Sequence, residues 1–156
     1  NMTENHGNWY YEMSELGYNY RLTDFQSALG ITQLKKNING VKIRNKIAQK
    51  YINSFSKFLK FQNFEDNFYH AYHLFVVETD RRLELYNFLK SNGVTAQIHY
   101  IPIHTLPYYK KIGYDDANLT NAEKYYSNCI SLPMYPTLSD EDINYVISKI
   151  KEFYGH

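Results

Sequence analysis

Between Tyr69 and Tyr100 the sequence writes a strand, a helix and a second strand in immediate succession. The run YHAYHLFVVE, Tyr69 to Glu78, is aromatic and β-branched and predicts a buried strand. Asp80 then ends it and is placed to cap a helix over about Arg81 to Asn92. That helix stops at Gly93, which suits the left-handed position just past a helix end. Val94 to Tyr100 predicts the next strand, so the chain needs a sheet with helices laid on it. The fold class is therefore α/β.

The segments on either side agree with this class. Residues up to about Leu22 carry Gly7 and Gly17 without a clear period and read as irregular. Thr23 and Gln26 form a capping box, in which hydroxyl and amide each satisfy a backbone N–H of the other end, so a helix starts there. Ile31, Leu34, Ile38 and Val41 continue it at three-four spacing. Gly40, beside Asn39, predicts a break and a second helix carrying Ile47, Ala48, Tyr51, Ile52 and Phe55. Pro102 and Pro107 bracket a loop. Thr120 and Glu123 predict another capping box, ahead of a helix through about Asn128. Ser131 to Pro136 reads as short and extended, with room for a third strand. The last helix has Ser139 as cap, three acidic residues in its first turn, Leu138 placed to staple on Ile143, and an inner face of Ile143, Val146, Ile147 and Ile150. The chain divides into an irregular segment 1–22, a helix pair 23–58 and a small α/β domain 59–156.

Composition narrows the function. Seventeen Lys+Arg against sixteen Asp+Glu give a formal charge of +1, which argues against nucleic acid as a partner. One cysteine, Cys129, forms no internal disulfide and sits among apolar neighbours, so it reads as packing in a reducing compartment. No apolar run is long enough to span a membrane, and the opening residues lack the pattern of a signal peptide, so a cytoplasmic location is expected. His99 and His104 could be a metal pair only with a carboxylate or thiolate that the nearby sequence does not supply, and no metal is expected. His70 and His73, three apart in the predicted strand, would project to opposite faces and share no ligand.

Five blocks taken in order carry a family resemblance. They are LGYNYRLTDFQSALGITQLKK from Leu16, IRNKIAQKYINSF from Ile43, YHLFVVETD from Tyr72, QIHYIPIHTLPYYKKIGY from Gln97 and ISLPMYPTLSDEDINYVISKIKEFY from Ile130. Together they resemble the C-terminal portion of the DegT/DnrJ/StrS family of pyridoxal-phosphate-dependent sugar aminotransferases. The flanks WYYEMSELGYNYRLTD and HYIPIHTLPYY are similar to the branch that aminates C4 of a UDP-linked 4-keto-6-deoxy sugar in pseudaminic acid synthesis.

The resemblance implies the small C-terminal domain of a fold-type I, aspartate aminotransferase-like enzyme, and a homodimer. It also implies pyridoxal phosphate as cofactor and glutamate and a UDP-sugar as substrates. By the same resemblance Asn19 reaches the cofactor phosphate held by the other subunit, and Arg21 lies near that shared site, where its guanidinium suits a phosphate or diphosphate. His99, Tyr100 and His104 lie beside the sugar-nucleotide pocket, against the hexose or its phosphates. Family members are more than twice this length, and the Schiff-base lysine belongs to the part with no counterpart here. That lysine is both imine partner and proton carrier, so the chain alone is expected to be inactive and not to hold the cofactor. A non-catalytic binding module and a dimerisation module are the alternative readings.

Overall fold

The computed structural model describes residue 9 and residues 15–18, 20–62, 68–114 and 117–156. The chain forms two compact units, residues 1–35 and 36–156. In the first unit the capping box is realised. The Thr23 N–H donates to Gln26 Oε1 at 2.9 Å and the Gln26 N–H to Thr23 Oγ1 at 3.2 Å. It opens helix α1, Asp24–Phe55, whose early apolar residues, Phe25, Leu29, Ile31 and Leu34, are all exposed.

α1 is one helix of 32 residues where the sequence predicts a pair broken at Gly40. Glycine costs a helix only about 1 kcal/mol. That is small beside the burial of Ile47, Ala48, Tyr51 and Phe55 on the turns that follow.

In the second unit, β1 (Lys60–Phe61), β2 (Phe75–Glu78) and β3 (Cys129–Leu132) form an antiparallel sheet in that order. β2 is shorter than the strand predicted from Tyr69. Tyr72 takes the left-handed conformation, φ 45°, and its N–H bonds His70 Nδ1 at 3.0 Å, which turns the backbone out of the ladder. His70 and His73 therefore lie outside the strand, and the argument from opposite faces does not apply to them.

Helix α2, Arg82–Ser91, follows with Arg81 at its cap and no side-chain capping bond. Thr79 Oγ1, rather than Asp80, receives the Arg81 N–H at 3.2 Å. The far end closes as predicted: Gly93 has φ 75°, its N–H bonds Lys90 O at 3.1 Å and the Val94 N–H bonds Leu89 O at 2.9 Å. Beyond it, Val94 to Tyr100 is not a strand but an extended segment with a single bridge, Gln97 to Ser131. The bracketed loop holds a turn of 3-10 helix, Ile103–Thr105, and then α3, Pro107–Tyr109, where Pro107 occupies a first-turn position that needs no N–H.

Helix α4, Thr120–Asn128, begins without the predicted capping box. Thr120 Oγ1 donates to Asn118 Oδ1 at 2.7 Å, and Glu123 is taken by His104. Helix α5, Asp140–Tyr154, starts as predicted on Ser139, whose Oγ accepts the Asp142 N–H at 3.0 Å. Leu138 and Ile143 are both buried, as a staple requires.

The core is the meeting of α1 (Tyr51, Phe55), β2 (Phe75, Val77), α2 (Leu85, Leu89), β3 (Ile130, Leu132) and α5 (Ile143, Ile150). The Tyr51 hydroxyl crosses to Pro133 O at 3.0 Å. Burial, and secondarily Tyr135, pushes its phenol far above the ordinary value of 10.0. Tyr51→Phe is expected to cost about 1–2 kcal/mol near neutral pH by stranding the Pro133 carbonyl. The unfolded chain ionises Tyr51 from about pH 10 upward while the folded chain keeps the proton, so this residue's contribution falls as pH rises. The gap between wild type and variant in urea midpoint should therefore narrow from neutral to about pH 11. A gap that stays constant would contradict the burial described.

Candidate functional site

Four segments of the second unit enclose a cleft of ≈ 420 Å³. Its walls come from the approach to β2 (His73), the extended segment after α2 (Thr95, Gln97, His99), the end of β3 with its following turn (Ser131, Met134) and α5 (Asp142, Tyr145). α1 fastens two of these walls. Arg44 Nη1 donates to Met134 O at 2.8 Å and more weakly to His73 O and Tyr72 O at 3.3 and 3.4 Å. Asn45 Nδ2 adds a bond to His70 O at 2.9 Å, and the Tyr145 hydroxyl ties α5 to Asn92 O at 2.9 Å.

His99 lines this cleft and is held at both its ring and its backbone. Its Nδ1 lies 2.8 Å from Ser131 Oγ, and Cys129 Sγ is 3.7 Å from its carbonyl oxygen. The Tyr100 ring lies 4.6 Å from the His99 ring and is largely exposed. His99 thus lines the cleft, whereas Tyr100 packs on its ring and is not part of the lining. His104 is placed differently: it is buried, does not line the cleft, and its Nε2 meets Glu123 Oε1 at 2.8 Å, tying the Pro-bracketed loop to α4. Arg21 is exposed and belongs to the first unit, two residues before the capping box. Asn19 lies outside the described residues.

Among the described residues no group of three or more His, Cys, Asp or Glu side chains gathers as for a metal. Cys129 is fully buried, and burial pushes its thiol up, against the opposing pull of the Arg82 guanidinium. A buried thiol held protonated is a packing group, as the sequence indicates. Among the described residues no helix is long and apolar enough to cross a membrane.

Sequence reasoning missed Ser131, Gln97, Glu123 and Arg44. One signal was available for Ser131. It is a hydroxyl inside a strand that is buried at every position, and such a group needs a partner. Glu123 was visible, but local spacing assigned it to the backbone rather than to a histidine nineteen positions away.

The profile of the DegT/DnrJ/EryC1/StrS aminotransferase family matches residues 1–151. The chain is 36% identical to the spore coat polysaccharide biosynthesis protein SpsC of Bacillus subtilis, over 97% of this chain and 42% of that protein. It is 32% identical to the UDP-4-amino-4,6-dideoxy-N-acetyl-beta-L-altrosamine transaminase of Campylobacter jejuni, over 94% of this chain and 42% of the relative. Its fold superposes on the crystal structure of a family aminotransferase from Brucella abortus with a TM-score of 0.84 at 27% identity, covering 96% of this chain and 40% of the other. The chain thus has the α/β fold of part of a fold-type I aminotransferase and spans about 42% of the length of the relatives it matches.

Proposed function

Because the chain belongs to the DegT/DnrJ/EryC1/StrS aminotransferase family, we propose that it supplies the substrate-facing part of a pyridoxal-phosphate-dependent enzyme. That enzyme moves an amino group from glutamate to a UDP-linked 4-keto-6-deoxy hexose. The observation that carries the reading is the family match across residues 1–151, the whole span that includes the His99 cleft. The Campylobacter relative, named as a transaminase of a UDP-linked 4,6-dideoxy amino sugar, supports a UDP-linked substrate.

The lining of the cleft supports a division of labour. Among the described residues it holds no lysine to condense with an aldehyde and no arginine to grip a phosphate, so this lining does not fit pyridoxal phosphate and no step of transfer is assigned to it. Its histidine, glutamine, threonine and tyrosine side chains, with the Asp142 carboxylate on α5, offer donors and acceptors that suit a hexose or a nucleoside. In this reading His99 and Tyr100 contact the nucleotide sugar, and His104 and Glu123 hold the loop that carries them. Arg21 faces a phosphate, and Asn19 reaches the cofactor phosphate of a second subunit. The exposed apolar residues of early α1 are consistent with a surface that is covered in a homodimer.

The test combines this chain with the complementary N-terminal portion of a family relative, pyridoxal phosphate, glutamate and a UDP-4-keto-6-deoxy sugar. Amino sugar is expected from the assembled complex and none from the chain alone. Light scattering first sizes the complex, and a mass of one copy of each part removes the homodimer. No product from a complex of demonstrated size sinks the substrate reading. Glutamate-dependent product from the chain alone sinks the division of labour.

A further inference from the structure

The strand β3 presents alternate residues to different neighbours. Ile130 and Leu132 belong to the apolar core, whereas Cys129 and Ser131, two apart and so on one face, both meet His99. Ser131 is 4% exposed. Its backbone is already spent on Gln97: the Ser131 N–H donates to Gln97 O at 2.7 Å and its carbonyl accepts the Gln97 N–H at 3.1 Å. What remains is the hydroxyl, whose partner among the described residues is His99 Nδ1 at 2.8 Å.

A hydroxyl both donates and accepts, and a buried one needs an acceptor for its proton. If Nδ1–H donated to Oγ, the serine proton would be buried with no acceptor among the described residues. The arrangement that satisfies both groups has Ser131 Oγ–H donating to a bare Nδ1. A neutral imidazole then carries its proton on Nε2. The backbone of His99 is meanwhile held by the Cys129 thiol at its carbonyl and by the Gln97–Ser131 bridge two residues earlier. Both the position of the ring and its tautomer are therefore set by β3.

We propose that Ser131 is a positioning residue that fixes His99 as an Nε2–H hydrogen-bond donor, so that the ligand atom His99 recognises is an acceptor oxygen. The use of that donor rests on His99 contacting the nucleotide sugar. The tautomer does not. A histidine locked as a donor is excluded from acting as a base on its ligand, and it discriminates against a ligand that offers a hydroxyl or amine proton at that point.

The experiment is two-bond proton–nitrogen NMR on the chain with isotope-labelled histidine, at a pH about two units above the ordinary histidine range. Wild type should show His99 with a bare Nδ1 and a protonated Nε2. Ser131→Ala should shift it toward a mixture of tautomers, and Ser131→Thr, which keeps the hydroxyl, should restore the single form. A wild-type ring protonated on Nδ1 overturns the proposal, and so does an unchanged tautomer in a folded Ser131→Ala chain. If that variant fails to fold, the wild-type spectrum decides alone. In the assembled enzyme, Ser131→Ala is expected to raise KM for the nucleotide sugar roughly 2–10-fold, the worth of one oriented hydrogen bond. His99→Gln tests the contact itself. A fixed Nε2–H tautomer with KM unmoved by either variant supports the positioning of the ring and removes the substrate contact, so the two ideas fail separately.

Discussion

Phe55→Ala is expected to destabilise the chain by about 3–5 kcal/mol, the usual cost of emptying a buried aromatic site. Phe55 is wholly buried at the last turn of α1, with its ring 5.7 Å from that of Tyr51 in a stacked arrangement and 5.9 Å from that of Phe58, edge-on. The space left has little chance to collapse. The Phe55 carbonyl accepts the N–H groups of Phe58 at 3.0 Å and Leu59 at 2.9 Å, so the turn that closes α1 is tied to this residue. Since native domains are stable by only about 5–15 kcal/mol, the loss takes a large share of the whole. Thermal unfolding should report a midpoint lowered by roughly 6–20 °C. A loss below about 1 kcal/mol would show that the end of α1 is not packed as described.

Arg44→Met should cost less stability, about 2–3 kcal/mol, but act more directly on the cleft. The substitution keeps the apolar stem and removes the donors to Met134, His73 and Tyr72. Those residues belong to two chain segments far apart in sequence, and His73 and Met134 both line the cleft. Tyr72 also holds a left-handed conformation, which costs a residue with a side chain about 1–2 kcal/mol and persists only while its surroundings fix it. Loss of the guanidinium should let residues 70–74 relax. Hydrogen exchange is expected to speed at 70–74 and 134–135 together, beyond what the global loss accounts for. Faster exchange spread evenly over the chain would mean that Arg44 is an ordinary packing residue.

The parts of the fold legible in the sequence are those whose causes lie within a few residues. The boxes at Thr23 and Ser139, and the Gly93 end of α2, each depend on bonds spanning three to five positions. The failures share a different cause. Gly40 was decided by the burial of Ile47, Ala48, Tyr51 and Phe55 further along α1, and Tyr72 by a turn onto His70 whose carbonyls Arg44 holds from the neighbouring helix. The Thr120 box failed because His104 outcompeted the backbone for Glu123.

The site divides in the same way. His99 and Tyr100 were visible through the His-Tyr-x-Pro-x-His block, and the structure places His99 in the wall of the cleft with the Tyr100 ring packed edge-on against it. Ser131 was not, because its significance comes from a bridge between segments thirty-four residues apart, from Gln97 to Ser131, that only the folded sheet creates. His104 carries the same motif as His99 yet has its back to the cleft. A motif names residues, and packing decides which of them face a ligand.

The closing turn of α2 also bears on how the protein ages. Asn92–Gly93 is the dipeptide most prone to spontaneous deamidation, a reaction that begins when the glycine nitrogen attacks the asparagine side-chain carbonyl. In the folded chain that nitrogen is committed to Lys90 O, and Asn92 Nδ2 is anchored on Phe88 O at 2.8 Å. Nucleophile and electrophile are held apart by the same bonds that finish the helix. Chemical damage at this dipeptide then reports local unfolding, its rate scaling with the fraction of time the helix end is open.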